Sequence, residues 1–181
     1  MEHAGITKEM VKQVINGGKG GKATGWVSSN NDYDGDIEVR IDGGRIDLSG
    51  KEKGLGMGGK GGRMVDLGYI THKTEERYIK RLVKDQENEG KYKDIGRTHK
   101  VNGVLMCESK VKDKLSGVGS VLVALWTALQ EDDKEVEYLF LSTTDVAQGF
   151  WSRYGLTDQR PTQKNIVLDR VKWPVKQMGV K

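Results

Sequence analysis

Glycine is distributed unevenly along this chain of 181 residues, and that distribution limits where a core can form. Residues 1–62 hold 16 of the 25 glycines, and residues 63–181 hold the other nine. Glycine has no side chain to bury, and it loses more conformational freedom on folding than any other residue. We therefore predict a Gly-rich N-terminal segment at 1–62, which can belong to the same domain, and a better-patterned core at 63–181.

Charge, hydropathy and cysteine usage exclude several classes of protein. Thirty Lys and Arg residues against 26 Asp and Glu give a net charge of +4, which is small for a dedicated nucleic-acid-binding module. No apolar run approaches the ~20 residues that a membrane-spanning helix needs, and residues 1–10 lack the apolar centre of a secretory signal. Cys107 is the single cysteine, so neither a disulfide framework nor a multi-thiolate zinc site can form within the chain. We expect a cytoplasmic protein that does not enter a membrane.

Apolar spacing and turn residues predict the secondary structure. In the N-terminal segment they predict a helix at 7–16, a hairpin with strands around 37–41 and 46–48, and a mobile loop or linker at 50–62. In the core they predict strands at 64–70, 104–111, 136–141 and 165–171, and helices at 74–89, 120–130 and 145–154. The fold class that this order predicts is α/β.

A short turn with two glycines joins the predicted strand at 104–111 to the predicted helix at 120–130. Gly117 and Gly119 would let backbone N–H groups approach an anion closely at the positive end of the helix, and Lys114 adds a charge. The turn lacks the third glycine of the dinucleotide-binding fingerprint and the Gly-Lys-Ser/Thr of the nucleoside-triphosphate loop. It is therefore a candidate cradle for a pyrophosphate, and a plain tight turn is the alternative interpretation.

The order of motifs over residues 101–171 resembles the GNAT superfamily of acyl-CoA-dependent N-acyltransferases. In that family a strand leads into a Gln/Arg-x-x-Gly-x-Gly/Ala loop, then a helix, a strand and a second helix that ends in an aromatic-rich motif. Here Lys114-x-x-Gly117-x-Gly119 is at the loop, with Lys in place of Gln or Arg, and Phe150-Trp151-Ser152-Arg153-Tyr154-Gly155 is at the second motif. The resemblance implies a mixed, mostly antiparallel sheet flanked by helices.

The resemblance also implies that acetyl-CoA binds as the acyl-donor substrate. The pyrophosphate would lie on backbone N–H groups, and the pantetheine arm would run along a strand where the sheet splays. The residues implied at the pyrophosphate are Lys114, Gly117, Val118, Gly119 and Ser120, and those implied along the pantetheine and acyl group are Cys107, Ser109, Val111, Thr144 and Trp151. The acceptor would be a primary amine: a protein lysine or N-terminus, a small amine or a nucleobase.

Acyl transfer to an amine needs a neutral amine, a donor for the developing oxyanion and an acid for the leaving thiolate. Trp151 occupies the position where the family often has a tyrosine acid, and an indole N–H cannot act as a useful acid. Tyr154 is the candidate substitute, and packing in the core is its alternative. Glu108 is the candidate base, with a solvated or paired carboxylate as the alternative; His99 is another candidate base. We interpret Cys107 as a small buried residue.

Two other signals carry less weight. Residues 30–37 resemble the first eight positions of a calcium loop, but Ile41 occupies the position of the bidentate Glu, so we predict a polar turn and no metal site. The Gly- and Lys-containing segments 17–22 and 51–63 could contact phosphates, although solvated loops are the favoured interpretation, so nucleic-acid binding is not favoured. The second function class is a non-catalytic GNAT-fold module that binds a protein or nucleic acid.

Overall fold

A computed structural model describes residues 7–16, 21–23, 33–52, 62–111, 115–142, 148–157, 160–173, 175 and 179–180. Its helices are α1 (Lys8–Asn16), α2 (Val118–Asp132), α3 (Gln148–Ser152) and α4 (Lys164–Arg170). Its strands are β1 (Gly21–Ala23), β2 (Tyr33–Asp42), β3 (Arg45–Glu52), β4 (Met64–Ile79), β5 (Leu82–Lys84), β6 (Tyr92–Asp94), β7 (Arg97–Ser109), β8 (Leu115–Ser116), β9 (Val136–Leu141), β10 (Thr162–Gln163) and β11 (Gly179–Val180).

Seven of these strands form one mixed sheet in the order β1-β2-β3-β4-β7-β9-β10. Every neighbouring pair is antiparallel except β7 and β9, which are parallel and are joined through α2. A parallel pair requires a crossover connection of this kind, and a helix is its usual form. The predicted α/β class with a mostly antiparallel sheet is confirmed. Strands from both sides of the 62/63 boundary belong to this sheet.

One face of the sheet packs against the helices. Strand side chains alternate between faces, and the buried set on β2 and β3 is Ile37, Val39, Ile46 and Leu48. These residues share one hydrophobic core with α2, whose Leu122, Leu125 and Trp126 are fully buried. We call this face the helix side and the opposite face the open side. None of the helices in the described part of the chain has the length and apolar character needed to span a bilayer.

The predicted helix at 74–89 is wrong. Residues 74–79 belong to β4, which pairs with β7 from Gly68↔Ser109 to Ile79↔Arg97, and β5 and β6 continue beyond them as a hairpin. The segment contains strand-favouring Thr74, Tyr78 and Val83, and its partner strand supplies a long ladder of hydrogen bonds that a local helix cannot match. The apparent apolar stripe is not a core face, because Tyr78 and Leu82 are more than half exposed.

The predicted strand at 165–171 is also wrong, because Lys164–Arg170 is helix α4. Val167 and Val171 are the buried residues of this segment, and their spacing of four is the spacing of a helix face. The last strand of the sheet is instead the short β10, which pairs with β9 at Thr162↔Leu139.

The other predicted elements are present with changed ends. The helices at 7–16 and 120–130, the hairpin around Gly43 and the strands at 64–70 and 136–141 are confirmed. The strand predicted at 104–111 begins earlier, at Arg97. The helix predicted at 145–154 is observed as α3, which ends at Ser152, two residues before the predicted end, and residues 143–147 lie outside the described residues. Most of the predicted loop at 50–62 also lies outside them, although β3 extends to Glu52.

Candidate functional site

The parallel strands β7 and β9 pair over only part of their length. Their register runs from Lys100↔Val136 to Val104↔Leu141, and the Ser142 N–H donates to the Val104 carbonyl (2.9 Å). Strand β7 then continues to Ser109, held on its other side by β4. Residues 105–109 therefore have no ladder partner on the β9 side among the residues that the structure describes. We call this stretch of β7 the free edge.

The chain segment that follows the free edge leads into the N-terminus of α2 at Val118. Gly117 precedes the helix in a left-handed conformation (φ 90°), and as a glycine it has no side chain with which to cap the helix. The first intrahelical bond is donated by Val121 N–H to Gly117 O (3.1 Å), so the N–H groups of Val118, Gly119 and Ser120 have no acceptor within the helix. They lie at the positive end of the helix dipole, which favours an anion.

Glycine at position 119 lies in close contact with the neighbouring helix. A Cβ on Gly119 would lie 3.2 Å from Cζ of Phe150 in α3, which is tighter than an ordinary van der Waals contact. The second glycine of the turn therefore has a structural role besides any role in binding, because it lets α3 approach the start of α2.

Cys107 and Ser109 face the helix side of β7. Burial raises the pKa of the Cys107 thiol to about 12, so the group is a neutral thiol at ordinary pH and not a nucleophile. The Ser109 hydroxyl is buried without a hydrogen-bond partner. Its strand neighbour across the ladder is Gly68, and a Cβ there would meet Val118 of α2 at 3.2 Å. The Ser109 residue thus lies near the start of α2. Val111, after the strand, packs in part against the core.

Glu108 points to the open side, where it is exposed. It lies opposite Tyr69 of β4, and hydrogen bonding to Glu108 raises the pKa of the Tyr69 hydroxyl. The Tyr69 ring is covered by the Arg45 guanidinium at 4.0 Å, and its hydroxyl oxygen lies 2.7 Å from the Met106 sulfur. The candidate base therefore belongs to a polar cluster on the surface of the sheet.

Trp151 and Tyr154 lie in the core instead. Their exposed fractions are 4% and 8%, and both rings contact Phe150, at centroid distances of 5.0 and 5.5 Å. Tyr154 is in the helix-side core, so the structure places it and Glu108 on opposite sides of the sheet and does not bring them together. Lys114 and Thr144 lie outside the described residues.

The other candidate base, His99, already has a partner. Its Nδ1 lies 2.8 Å from a Glu137 carboxylate oxygen, and its ring contacts Tyr138 edge to face. This arrangement leaves the ring held between two residues of β9 and away from the free edge.

A buried polar network between β4, β7 and α2 was not predicted from the sequence. The Trp126 indole N–H donates to Asn102 Oδ1 (2.8 Å), and Asn102 Nδ2 lies 3.0 Å from His72 Nδ1 and 2.9 Å from Thr74 Oγ1. An indole nitrogen can only donate, so the amide oxygen must face Trp126 and the amide nitrogen must face His72. His72 Nδ1 is therefore the acceptor, and Nε2 carries the proton but has no partner. Burial lowers the pKa of His72, which keeps the ring neutral.

The other surface feature is a polar depression of about 300 Å³ on the open side, over β2 and β3. Its lining residues are Glu38, Arg40, Arg45, Asp47 and Ser49. They are charged residues of both signs, and Arg45 is already bound to Asp47 (3.0 Å). The depression is two strands away from the free edge. Across the described ranges, no three His, Cys, Asp or Glu side chains are placed to hold a metal ion.

The geometry thus combines a strand edge without a partner, a glycine turn and an uncapped helix N-terminus in one βαβ unit. Comparison with known proteins adds no relative to it: no protein family, curated protein or solved structure matches the chain.

Proposed function

We propose that this chain is a CoA-dependent N-acyltransferase that moves an acetyl group from acetyl-CoA to a primary amine. The observation that carries the proposal is the free edge of β7, which leads into the left-handed Gly117 and the uncapped start of α2. The GNAT-like order of motifs in the sequence supports the same function. The single cysteine, which burial keeps as a thiol, suits a reducing compartment, so we assign the reaction to the cytoplasm.

The free edge and the helix start offer complementary groups to the two polar parts of CoA. The pantetheine arm contains amides, which can pair with the N–H and C=O groups of residues 105–109 as an added strand would. The pyrophosphate can accept from the N–H groups of Val118, Gly119 and Ser120. The Ser109 hydroxyl, buried without a partner, would gain one from a bound ligand.

In the reaction the amine nitrogen bonds to the thioester carbonyl carbon, and the bond from that carbon to sulfur breaks. The amine loses a proton and the CoA thiolate gains one. Glu108 is the candidate acceptor of the amine proton, because it is an exposed carboxylate on the free edge. Tyr154 is the candidate donor to the thiolate. Because Tyr154 and Glu108 lie on opposite sides of the sheet, only one of them can contact the reacting atoms, and water carries the other proton. A backbone N–H of the free edge is suited to hydrogen-bond the developing oxyanion, since it is fixed before the reaction begins.

The test is a comparison of two glycine variants by titration calorimetry with acetyl-CoA. Gly117→Glu introduces a side chain and a negative charge at the proposed pyrophosphate site. Gly43→Glu is the matched control, since Gly43 also has a positive φ (57°), lies in a hairpin turn and has open space around it. We expect micromolar binding in the wild type and the control, and at least 100-fold weaker binding in Gly117→Glu. Equal affinity in both folded variants would contradict the proposed site.

A non-catalytic GNAT-fold module is the second candidate. The observation in its favour is the separation of Tyr154, which is buried on the helix side, from Glu108 on the open side. Such a module would bind a protein or nucleic acid and, even with acetyl-CoA bound, would not transfer the acetyl group. Release of CoA thiol in the presence of peptide, polyamine and nucleoside amines separates the two candidates: amine-dependent release supports the transferase, and binding without release supports the module.

A further inference from the structure

The hairpin of β4 and β7 extends beyond the rest of the sheet. Strand β3 leaves β4 at Arg45↔Thr71, and β9 pairs with β7 only from Lys100 onwards. From Arg77 to His99 the chain is therefore a two-stranded ribbon, which continues through β5 and β6 to a turn at 85–91. We call residues 77–99 the arm. At about 3.3 Å per residue, it projects roughly 30 Å.

One side of the arm carries large exposed apolar side chains. Tyr78, Leu82 and Tyr92 are 57%, 54% and 60% exposed. Leu82 is directly opposite Asp94, to which the Tyr78 hydroxyl is hydrogen-bonded, and Tyr92 is two residues from Asp94 on the same strand. The three apolar residues therefore share one side, and Lys84 and Asp94 lie on that side beside them. A two-stranded hairpin is only marginally stable alone in water, and an apolar side of this kind indicates a partner.

The charges of the arm are divided between its tip and its shaft. The tip, residues 85–90, contains Asp85, Glu87 and Glu89 and no Lys or Arg. The shaft, residues 77–84 and 91–99, is strongly basic. Its cations include Lys80, Arg81, Lys84, Lys91, Lys93 and Arg97, and its one acidic residue is Asp94. If two arms lay side by side in opposite directions, each acidic tip would face the basic shaft of the other.

We propose that the arm is a dimerisation element whose partner is the arm of a second copy of this chain. A two-fold axis brings the apolar sides of the two arms together and places each acidic tip on the basic shaft of the other arm. The same surface of each copy therefore forms both halves of the interface. The arrangement covers the exposed side chains and adds a second layer to the ribbon. A nucleic acid would meet cations and the rings of Tyr78 and Tyr92 on the shaft, but the acidic tip repels phosphate, so it fits less well than a second arm.

Charge reversal tests this arrangement. The tip variant is Glu87→Lys with Glu89→Lys, which changes the charge of the tip from −3 to +1. The shaft variant changes the charge of the shaft from +6 to −2 through Lys80→Glu, Arg81→Glu, Lys84→Glu and Lys93→Glu. Each variant alone would place like charges together, so we expect its dimer dissociation constant to rise roughly tenfold or more. An equimolar mixture restores opposite charges at both contacts, and it should form a heterodimer of near wild-type affinity. Sedimentation velocity over a range of concentrations, on nuclease-treated protein, measures the dissociation constants of the tip variant, the shaft variant and their equimolar mixture.

The control variant is Asp132→Lys with Asp169→Lys, which makes the same change of net charge as the tip variant at exposed positions away from the arm. It should dimerise as the wild type does. A wild-type protein that stays monomeric at high concentration overturns the proposal, and so does an oligomer that the tip and shaft variants leave unchanged. An assembly that nuclease treatment dissolves overturns it in favour of nucleic-acid binding.

Discussion

Replacing Asn102 with alanine should destabilise the protein more than any other single polar substitution in the described core. Asn102 is 1% exposed, and its side chain joins Trp126 and His72 across two elements. Alanine removes an acceptor for the indole N–H and a donor for His72 Nδ1. Both of these groups stay buried after the substitution.

The magnitude follows from what is left unsatisfied. A buried polar group without a partner costs about 1–3 kcal/mol, and here there are two such groups, with a small cavity beside them. Thr74 adds little, since it is exposed and water can replace its bond. We expect the free energy of unfolding to fall by about 3–5 kcal/mol, which is a large part of the total for a domain of this size.

Urea unfolding followed by circular dichroism measures this change. Asn88→Ala is the control, because Asn88 is an exposed residue of the arm turn whose amide bonds Asp85 at 3.2 Å. Its effect should stay within about 0.5 kcal/mol. The double variant Asn102→Leu with Trp126→Phe removes both the indole donor and its acceptor. Its loss in free energy of unfolding should therefore be smaller than the summed losses of the two single variants, Asn102→Leu and Trp126→Phe.

A loss below about 1 kcal/mol in Asn102→Ala would refute this reasoning. It would mean that water reaches the indole N–H and His72, and that the network is not the buried, fully directed arrangement that fixes the histidine tautomer. A double variant whose cost equals the sum of its parts would contradict the coupling between Asn102 and Trp126.

Three further predictions concern packing, pH and thiol reactivity. A Cβ at Gly103 would overlap the buried Phe140 ring, so Gly103→Ala should cost about 1–3 kcal/mol in urea unfolding, and adding Phe140→Leu should recover most of it. Burial lowers the pKa of His72 below its usual value near 6.5, so the unfolded chain takes up the proton at a higher pH than the folded chain. The free energy of unfolding should therefore fall as the pH drops below about 6.5, and it should fall less steeply in His72→Gln. Burial raises the pKa of Cys107 to about 12, so iodoacetamide at pH 8 should alkylate the native thiol roughly 1000-fold more slowly than the unfolded chain, and equal rates would contradict this burial.

Elements with strong local signals could be predicted from the sequence. Helix α2 has an apolar face at helical spacing, which is typical of a helix packed on a core. Strand β9 is a near-continuous apolar run, which is typical of a strand covered on both faces. The glycine turn before α2 could also be predicted, because its two glycines stand between a strand pattern and a helix pattern. Alternation along β7 also predicted that Cys107 and Ser109 would face away from Glu108.

Elements that depend on distant partners could not be predicted. The residues of β4 beyond Lys73 have helix-like apolar spacing, and only their pairing with β7, 18 to 28 residues away, makes them a strand. The same error separated His72 from Asn102, so their contact in the buried network was not foreseen. The side of the sheet on which Tyr154 lies depends on how α3 packs against α2, which no local pattern specifies.

The account's central claim is that acetyl-CoA lies along the free edge of β7 and on the start of α2, and hydrogen exchange with mass spectrometry tests it most directly. Bound acetyl-CoA should slow amide exchange in residues 105–109 and 117–120, and leave the β2–β3 hairpin and the arm unchanged. Gly117→Glu should abolish that protection. Unchanged exchange at both segments under saturating acetyl-CoA, or protection confined to another part of the chain, would contradict the claim.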